Sequence, residues 1–306
     1  MLRQATLPLA STALAETLPA ASAWLAGSEE APRTRYLRQA ARRALEPSRG
    51  DGNFEWQLDP YVGFEFEAFP TGRISRKRII LKDGLQRILE TELRRPDTTG
   101  SRIVIGRRSD PYQPVERFAS RTRALLETLT TTSGLDLTIT TRSPLVLRDL
   151  EICKRLDLRH AVTLQIVLPT MDARLARLLE RPAIEPRDRL EVVQRYSADG
   201  ITVQVLCSPI LAGINSDADE LNPLFAAVRA AGANDIGALP LEVAGRNRRR
   251  FFSWLREEFP DLVPLYLPSG TLGGRLSRQH PDSLLGTFER LRLAYGFPTS
   301  GTAGRG

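Results

Sequence analysis

Gly106-Arg-Arg-Ser-Asp-Pro-Tyr-Gln-Pro-Val-Glu116 is the stretch on which the reading of this chain turns. Before it, Arg102-Ile-Val-Ile105 is a short apolar run with β-branched residues. After it, Phe118, Thr122, Leu125 and Leu129 recur at helical spacing, so the stretch is a strand-to-helix turn. Pro114 is expected at the first helical position, where its missing N–H costs nothing. Ser109, Asp110, Tyr112 and Gln113 then crowd one strand's C-terminal end. In a parallel α/β barrel that is where the loops converge on the open mouth and ligands bind.

Working outward, short strands alternate with helical patterns. Phe54 to Leu58 alternates apolar and polar residues, Ile79-Ile-Leu81 is another short apolar run, and Asp83 with Gln86 resembles a capping box for a helix carrying Leu85, Ile88, Leu89 and Leu93. Leu135 to Thr141 alternates strictly, and Pro144 opens a helix through Leu147, Leu150 and Cys153. Ala161 to Leu168 is a nearly continuous apolar run, as in strands covered on both faces. Helical patterns around Leu175 to Leu179 and Leu190 to Tyr196 lead to Gly200, a C-terminal cap. Ile201 to Leu206 and Ile236 to Leu241 are the next strands, separated by a helix over Asp219 to Ala231. This alternation implies a parallel sheet with right-handed crossovers, curled as a partial (β/α)6 barrel of TIM type.

Residues 1–50 read as a leader and linker, with a short helix over Ala10 to Trp24 and turn chemistry at Ser48-Arg-Gly-Asp-Gly52. Residues 51–245 read as the partial barrel. Residues 246–306 read as a C-terminal helical extension with a mobile tail from Pro298 onward. The loop Leu267-Pro-Ser-Gly-Thr-Leu-Gly-Gly274 lacks the strand–loop–helix context of a phosphate-cradling turn.

The run Ser109-Asp-Pro-Tyr-Gln-Pro-Val-Glu116 resembles the hallmark of radical S-adenosylmethionine (SAM) proteins of the spore photoproduct lyase branch. Flanking resemblances follow in family order: Pro32-Arg-Thr-Arg-Tyr-Leu37, Phe54-Glu-Trp-Gln-Leu-Asp-Pro-Tyr-Val-Gly63, Leu147-Arg-Asp-Leu150, Leu168-Pro-Thr-Met-Asp172, Pro209-Ile-Leu-Ala-Gly-Ile-Asn215 and Leu239-Pro-Leu-Glu-Val243. The fold the resemblance implies agrees with the alternation above. It departs from the family where the chemistry belongs. Relatives continue from Asn/Asp-Pro-Tyr-x-Gly into Cys-x3-Cys-x2-Cys, whose thiolates hold three irons of a [4Fe–4S] cluster, whereas here Gly63 leads into Phe64-Glu-Phe-Glu-Ala-Phe-Pro-Thr71. The [4Fe–4S] cluster of the family is therefore not supported, and no metal ligand or catalytic residue is assigned. At least two of Phe64, Phe66 and Phe69 are expected to pack into the space the cluster would fill.

By resemblance, Ser109, Asp110, Tyr112 and Gln113 lie near the methionyl end of SAM, and Thr141 and Ser143 end the neighbouring strand and offer hydroxyls. Pro209, Ile210 and Asn215 lie in the segment that receives the adenine. Two departures weaken this carry-over: Val167 stands where relatives commonly have serine, and Arg107-Arg108 replaces smaller polar residues. The resemblance thus implies a SAM-like or nucleotide ligand without radical chemistry. A SAM-dependent enzyme of non-radical type and a nucleic-acid-binding module are the competing readings.

The formal charge of +7 over 306 residues invites the nucleic-acid reading, since basic surfaces attract phosphate backbones. Yet only Lys77, Lys82 and Lys154 among the 43 basic residues are lysines, and the arginines are spread along the chain. The densest group, Arg246-Asn-Arg-Arg-Arg250, adjoins Phe251, Phe252 and Trp254, which reads as a helix with an aromatic face inward and a basic face in solvent. Cys153 and Cys207 are too few for a disulfide framework and fit a reducing, cytoplasmic setting. Pro8, Glu16 and Pro19 interrupt the apolar N-terminus, which argues against a signal peptide. No stretch reaches the length a membrane span requires. His160 and His280 lack the partners of a hydrolytic site, and His160, opening a strand, reads as structural.

Overall fold

The computed structural model describes residues 3–4, 34–50, 53–63, 66–70, 77–181, 183–241, 245–267 and 281–298. The expected leader helix, most of the 267–274 loop and the tail beyond Pro298 lie outside them. In chain order the strands are β1 (Arg3–Gln4), β2 (Thr34–Ala40), β3 (Glu46–Gly50), β4 (Asn53–Leu58), β5 (Tyr61–Val62), β6 (Glu67–Ala68), β7 (Lys77–Asp83), β8 (Arg102–Ile105), β9 (Asp136–Thr141), β10 (Ala161–Val167), β11 (Glu180–Arg181), β12 (Thr202–Ile210) and β13 (Asp235–Pro240). The helices are α1 (Leu85–Glu92), α2 (Glu116–Ala119), α3 (Arg121–Leu129), α4 (Leu150–Asp157), α5 (Ala173–Leu179), α6 (Pro186–Ala198), α7 (Ala218–Ala230), α8 (Gly245–Glu258), α9 (Val263–Tyr266) and α10 (Pro281–Ala294). The chain gathers into two compact units, one from residues 1–66, 75–165 and 195–202, the other from 67–74, 166–194 and 203–306.

In the first unit β4, β8 and β9 run parallel, in the register Trp56–Ile103–Leu137 and Leu58–Ile105–Ile139. β10 lies beyond β9, and β3 closes the other edge as an antiparallel hairpin partner of β4. Trp56, Leu58, Ile103, Ile105, Leu137 and Ile139 share one face, and all are buried. That face is continuous apolar surface because successive side chains in a strand point to opposite sides of the sheet. A second sheet pairs β2 with β7 in parallel over seven residues, from Thr34–Lys77 to Ala40–Asp83, with β5 antiparallel to β7. The segment read as a linker thus contains two strands. Each carries two charges three positions apart, Arg35 with Arg38 and Glu46 with Arg49, a spacing that gives no strand period to read.

Several local expectations change, the first being Pro114, which lies in the turn two residues before α2 instead of at its first position. Asp83 does not cap α1: the N-cap is Gly84 in the left-handed region, and Asp83 binds Arg38 and Arg121 instead. The helix after the hallmark is broken in two at Ser120, whose φ of 48° is left-handed. Phe118 on the first piece is left exposed. The Pro144 helix begins as a 3-10 turn over Pro144–Asp149, with the Ser143 hydroxyl accepting from the Leu145 amide, before α4 continues it.

In the second unit β12 and β13 pair in parallel, and β6 with β11 makes a two-residue antiparallel ladder. Its core joins Leu175, Leu179, Leu211, Ile214 and Leu241 to Phe251, Phe252, Trp254, Leu255 and Tyr266. The aromatic side of α8 is therefore buried as the sequence implies, while Arg249 is exposed and the Arg248 guanidinium lies 5.4 Å from the Phe252 ring centre. α10 packs on α7 through Phe288 against Phe225, and its buried Arg292 pairs with Asp235 at 2.7 Å.

Candidate functional site

The turn that follows β8 begins at Gly106, with φ of 95°. A Cβ there would lie 2.3 Å from the Thr140 carbonyl oxygen and 2.6 Å from Pro111 Cδ, so only glycine lets the loop cross the end of β9 this closely. The loop then folds back on the first unit. Arg107 pairs with the buried Glu55 at 2.9 Å, and Arg108 pairs with Glu46. The Arg108 amide donates to Asp59 at 3.2 Å. Burial pushes the Asp59 carboxyl above its ordinary pKa, and that hydrogen bond only partly offsets it.

Four of the six first-unit residues that the resemblance singled out form one connected set, and Ser109 and Gln113 lie next to it. Asp110 Oδ1 accepts from the Tyr112 amide at 2.9 Å and the Thr141 hydroxyl at 2.7 Å, and Oδ2 accepts from the Arg142 amide at 2.9 Å. The Thr141 oxygen accepts in turn from the Ser143 amide at 3.0 Å. Ser109 donates its hydroxyl to the Tyr61 carbonyl at 2.9 Å, and Tyr112 donates to Asp149 at 3.1 Å. Gln113 is fully buried beside them. Much of their hydrogen-bonding capacity is thus spent on joining the β8 and β9 loops to each other and to β5.

The last hallmark residue, Glu116, has a role that sequence reasoning missed. It is fully buried, and its carboxylate accepts from the amides of Arg121 at 2.9 Å, Thr122 at 3.0 Å and Arg123 at 3.3 Å. It therefore caps α3 across the break at Ser120, where orphan amides and the positive helix end favour an anion. The same carboxylate takes the Tyr61 hydroxyl and an ion pair from Arg148 at 2.8 Å. Arg148 also pairs with Asp149 at 2.9 Å. Burial and the adjacent Glu116 charge drive the Tyr61 phenol far above its ordinary pKa. The two carboxylates hold the Arg148 guanidinium protonated despite burial. Three of the family-like segments, those holding Tyr61, Glu116 and Arg148-Asp149, meet in this clasp.

Pro209, Ile210 and Asn215 belong to the second unit and make a separate arrangement there. Asn215 accepts from the Leu211 amide at 2.7 Å and donates to the carbonyls of Pro169 at 2.8 Å and Pro209 at 3.1 Å. Nearby, Arg189 donates to the Val167 carbonyl at 2.7 Å and pairs with Glu180, both side chains being buried. This pair was also missed. Its signal was present: Arg189 stands in line with Val192, Val193 and Tyr196 at i, i+3, i+4 and i+7 on α6, a charge on an otherwise buried apolar stripe.

Of the three phenylalanines after Gly63, Phe64 lies outside the described residues and the other two are buried. Phe66 sits under the Arg142 guanidinium, 5.5 Å from ring centre to Cζ. Phe69, with φ of 51°, donates its amide to the Leu179 carbonyl at 2.8 Å, and its ring meets Phe251 and Trp254 at 5.0 and 4.9 Å. The donors of the chain do not fit a [4Fe–4S] cluster, which cysteine thiolates hold. Cys153 and Cys207 are buried in different units, and burial pushes each thiol up to about 12. Cys207 donates to the Pro169 carbonyl at 3.5 Å, and Cys153 receives the Tyr196 hydroxyl at 3.6 Å. Among the described residues no cluster of His, Cys, Asp and Glu could hold a metal ion, and no helix is long and apolar enough to cross a membrane.

Comparison with known proteins bears on the fold. No family model matches the chain. An uncharacterized protein of Mycobacterium tuberculosis is 28% identical over 202 residues, covering 66% of this chain and 59% of that protein. An uncharacterized protein of Acidianus two-tailed virus is 31% identical over 111 residues, covering 36% of this chain and 35% of the viral one. The chain thus matches less than two thirds of the length of these relatives. Among solved structures, a spore photoproduct lyase double mutant with bound AdoMet and dinucleoside spore photoproduct superposes with a TM-score of 0.58 at 13% identity, over 85% of this chain and 81% of that one. Spore photoproduct lyase complexed with dinucleoside spore photoproduct gives 0.55 at 13% identity, over 83% and 79%. The α/β architecture with a parallel sheet is therefore of the radical SAM type. Within that class, the fold is that of spore photoproduct lyase.

Proposed function

We propose that this protein is a cluster-deficient relative of the radical SAM enzymes, which keeps a SAM-like or nucleotide ligand at the C-terminal ends of β8 and β9 and has lost reductive SAM cleavage. One observation carries the proposal: the loop after Gly63 is built from buried phenylalanines where cysteines are required, and the chain's two thiols are buried, protonated and hydrogen-bonded in separate units. Asp110, Thr141 and Ser143 would act chiefly as a scaffold, holding the two loops at a fixed distance so that their backbone and Gln113 receive the methionyl end. The AdoMet in a structure of the same fold supports this ligand class. Calorimetry on metal-free protein with SAM, S-adenosylhomocysteine and nucleotides tests it, and absence of any heat of binding at millimolar ligand removes the ligand half of the proposal.

A second reading is nucleic-acid binding, favoured by the net charge of +7 and by the dinucleoside bound in that structure. On α8, however, the aromatic residues that could stack on bases are buried in the core. A gel-shift series in rising salt separates the readings, since phosphate-driven binding is strongest at low salt. No shift at the lowest salt sets this reading aside.

A further inference from the structure

The sheet that β2, β7 and β5 form has two unlike faces. Tyr36 stands beside Ile79 and Tyr61 beside Leu81, and these four gather with Val115 and Ala119 on the covered side. The alternate positions point the other way. There Leu37, Ile80 and Val62 form one row across the three strands, and Arg35 and Arg78 stand side by side in the next row. Both arginines are exposed, Leu37 and Ile80 are half-buried, and Val62 is 48% exposed, so among the described residues no element closes over this side. Two guanidiniums on neighbouring strands about 4.8 Å apart repel each other. Among the described residues neither has a carboxylate partner, whereas Arg38 on the covered side has Asp83 at 2.9 Å and Lys82 has Glu46 at 3.3 Å.

We propose that this face docks an amphipathic helix of a partner protein, its apolar stripe laid along Leu37, Ile80 and Val62 and its carboxylates on the flank that meets Arg35 and Arg78. Charge complementarity sets the sign, because a carboxylate between the two guanidiniums removes their repulsion and accepts from both forks. Geometry sets the length. Three strands carry the row over about 10 Å, and a helix carries positions i, i+4 and i+7 over about the same distance. On the opposite flank Lys82 is already neutralised by Glu46 and Gln39 is uncharged, so acidic residues are called for on one side of the helix. A lipid surface is disfavoured because the row holds no aromatic residue to sit at a headgroup boundary. A nucleic-acid backbone is disfavoured because, among the described residues of this face, Arg35 and Arg78 alone are left to meet phosphates.

A helical peptide of about five turns, with leucine along one stripe and glutamate along one flank, is titrated with the full chain and followed by fluorescence anisotropy, beside a twin that has lysine in place of glutamate. The glutamate peptide is expected to bind and the lysine twin not to. Arg35→Glu with Arg78→Glu should weaken the glutamate peptide roughly tenfold or more and let the lysine twin bind. Arg78→Gln alone, read in the same way, serves if that pair proves unfolded by amide dispersion. Arg187→Glu with Arg249→Glu removes the same charge from exposed positions of the second unit and should leave both peptides as in the parent. Val62→Asn should weaken the glutamate peptide with no change of charge. The proposal is overturned if the glutamate peptide does not bind, if both arginine pairs weaken it alike, or if Val62→Asn binds as the parent does. Phosphatidylserine vesicles bound in place of the peptide, or a dimer in sedimentation that Arg35→Glu with Arg78→Glu dissolves, would name another occupant and overturn it too.

Discussion

Tyr61 donates its hydroxyl to the carboxylate of Glu116 across 55 positions of sequence, and that bond ties the strand β5 to the cap of α3. Glu116 is fully buried and gathers three backbone amides and Arg148 besides. Removing one member of a buried charged set strands the others, which costs more than the set contributes when whole. Glu116→Ala is therefore expected to destabilise the protein by about 3–5 kcal/mol. Tyr61→Phe, which removes one hydroxyl and strands less, should cost about 1–2 kcal/mol. Urea denaturation of both single variants and of the double variant checks this. Additive losses would mean that the two residues do not act together.

Phe69 packs into the core of the second unit. Its ring is 6% exposed and touches both Phe251 and Trp254. Phe69→Ala should open a cavity and cost about 3–5 kcal/mol. It should also red-shift the emission of Trp254, isolated by replacing Trp24 and Trp56 with phenylalanine. Unchanged emission and a loss under about 1 kcal/mol would mean that the ring is not part of this core.

Much of the sheet was legible in the sequence because strand and helix periods differ. β4, β8, β9 and β10 lie within a residue or two of the runs Phe54–Leu58, Arg102–Ile105, Leu135–Thr141 and Ala161–Leu168. What escaped was set by long-range partners. The break at Ser120 is stabilised by Glu116, whose pairing with Tyr61 and Arg148 no local pattern encodes. β2 escaped because its charged residues find their place only beside β7. The resemblance implies a ligand shell, whereas Asp110, Thr141 and Ser143 spend their hydrogen bonds mainly on the protein's own groups. A motif shows that residue types recur together and leaves open whether they touch a ligand or hold the loop that does.

His160 gives the fold a pH dependence. Its Nδ1 accepts from the Leu135 amide at 3.1 Å, so the ring proton is on Nε2, 3.1 Å from the Leu129 carbonyl. Protonation at Nδ1 would set two donors against each other. Burial lowers the folded-state pKa below its ordinary 6.5, and the neighbouring Arg159 lowers it further against the pull of the Leu129 carbonyl. The unfolded chain then binds the proton more tightly than the folded one. This contribution to stability is present above the unfolded value and lost as pH falls through about 6.5 toward the folded value. Urea midpoints measured from pH 7.5 down to 5.5 should fall in the parent protein and fall less in His160→Gln. Parallel curves would show that His160 titrates alike in both states.

The last prediction is about iron. Cleaving SAM reductively needs an electron delivered to the sulfonium from a cluster, and thiolates hold such clusters. The chain has two cysteines, 54 positions apart, one in α4 and one in β12. Each is wholly buried, with a thiol pushed up to about 12, so that neither is a thiolate near neutral pH. Even together they would give two ligands, and His160 is already committed to Leu135 and Leu129. Anaerobic reconstitution with iron and sulfide should therefore leave the protein colourless, and SAM with dithionite should yield no 5′-deoxyadenosine. Stoichiometric iron, visible cluster absorbance and SAM cleavage, all abolished by Cys207→Ala, would show that the buried thiols can be recruited and that radical chemistry survived the loss of the cysteine triplet.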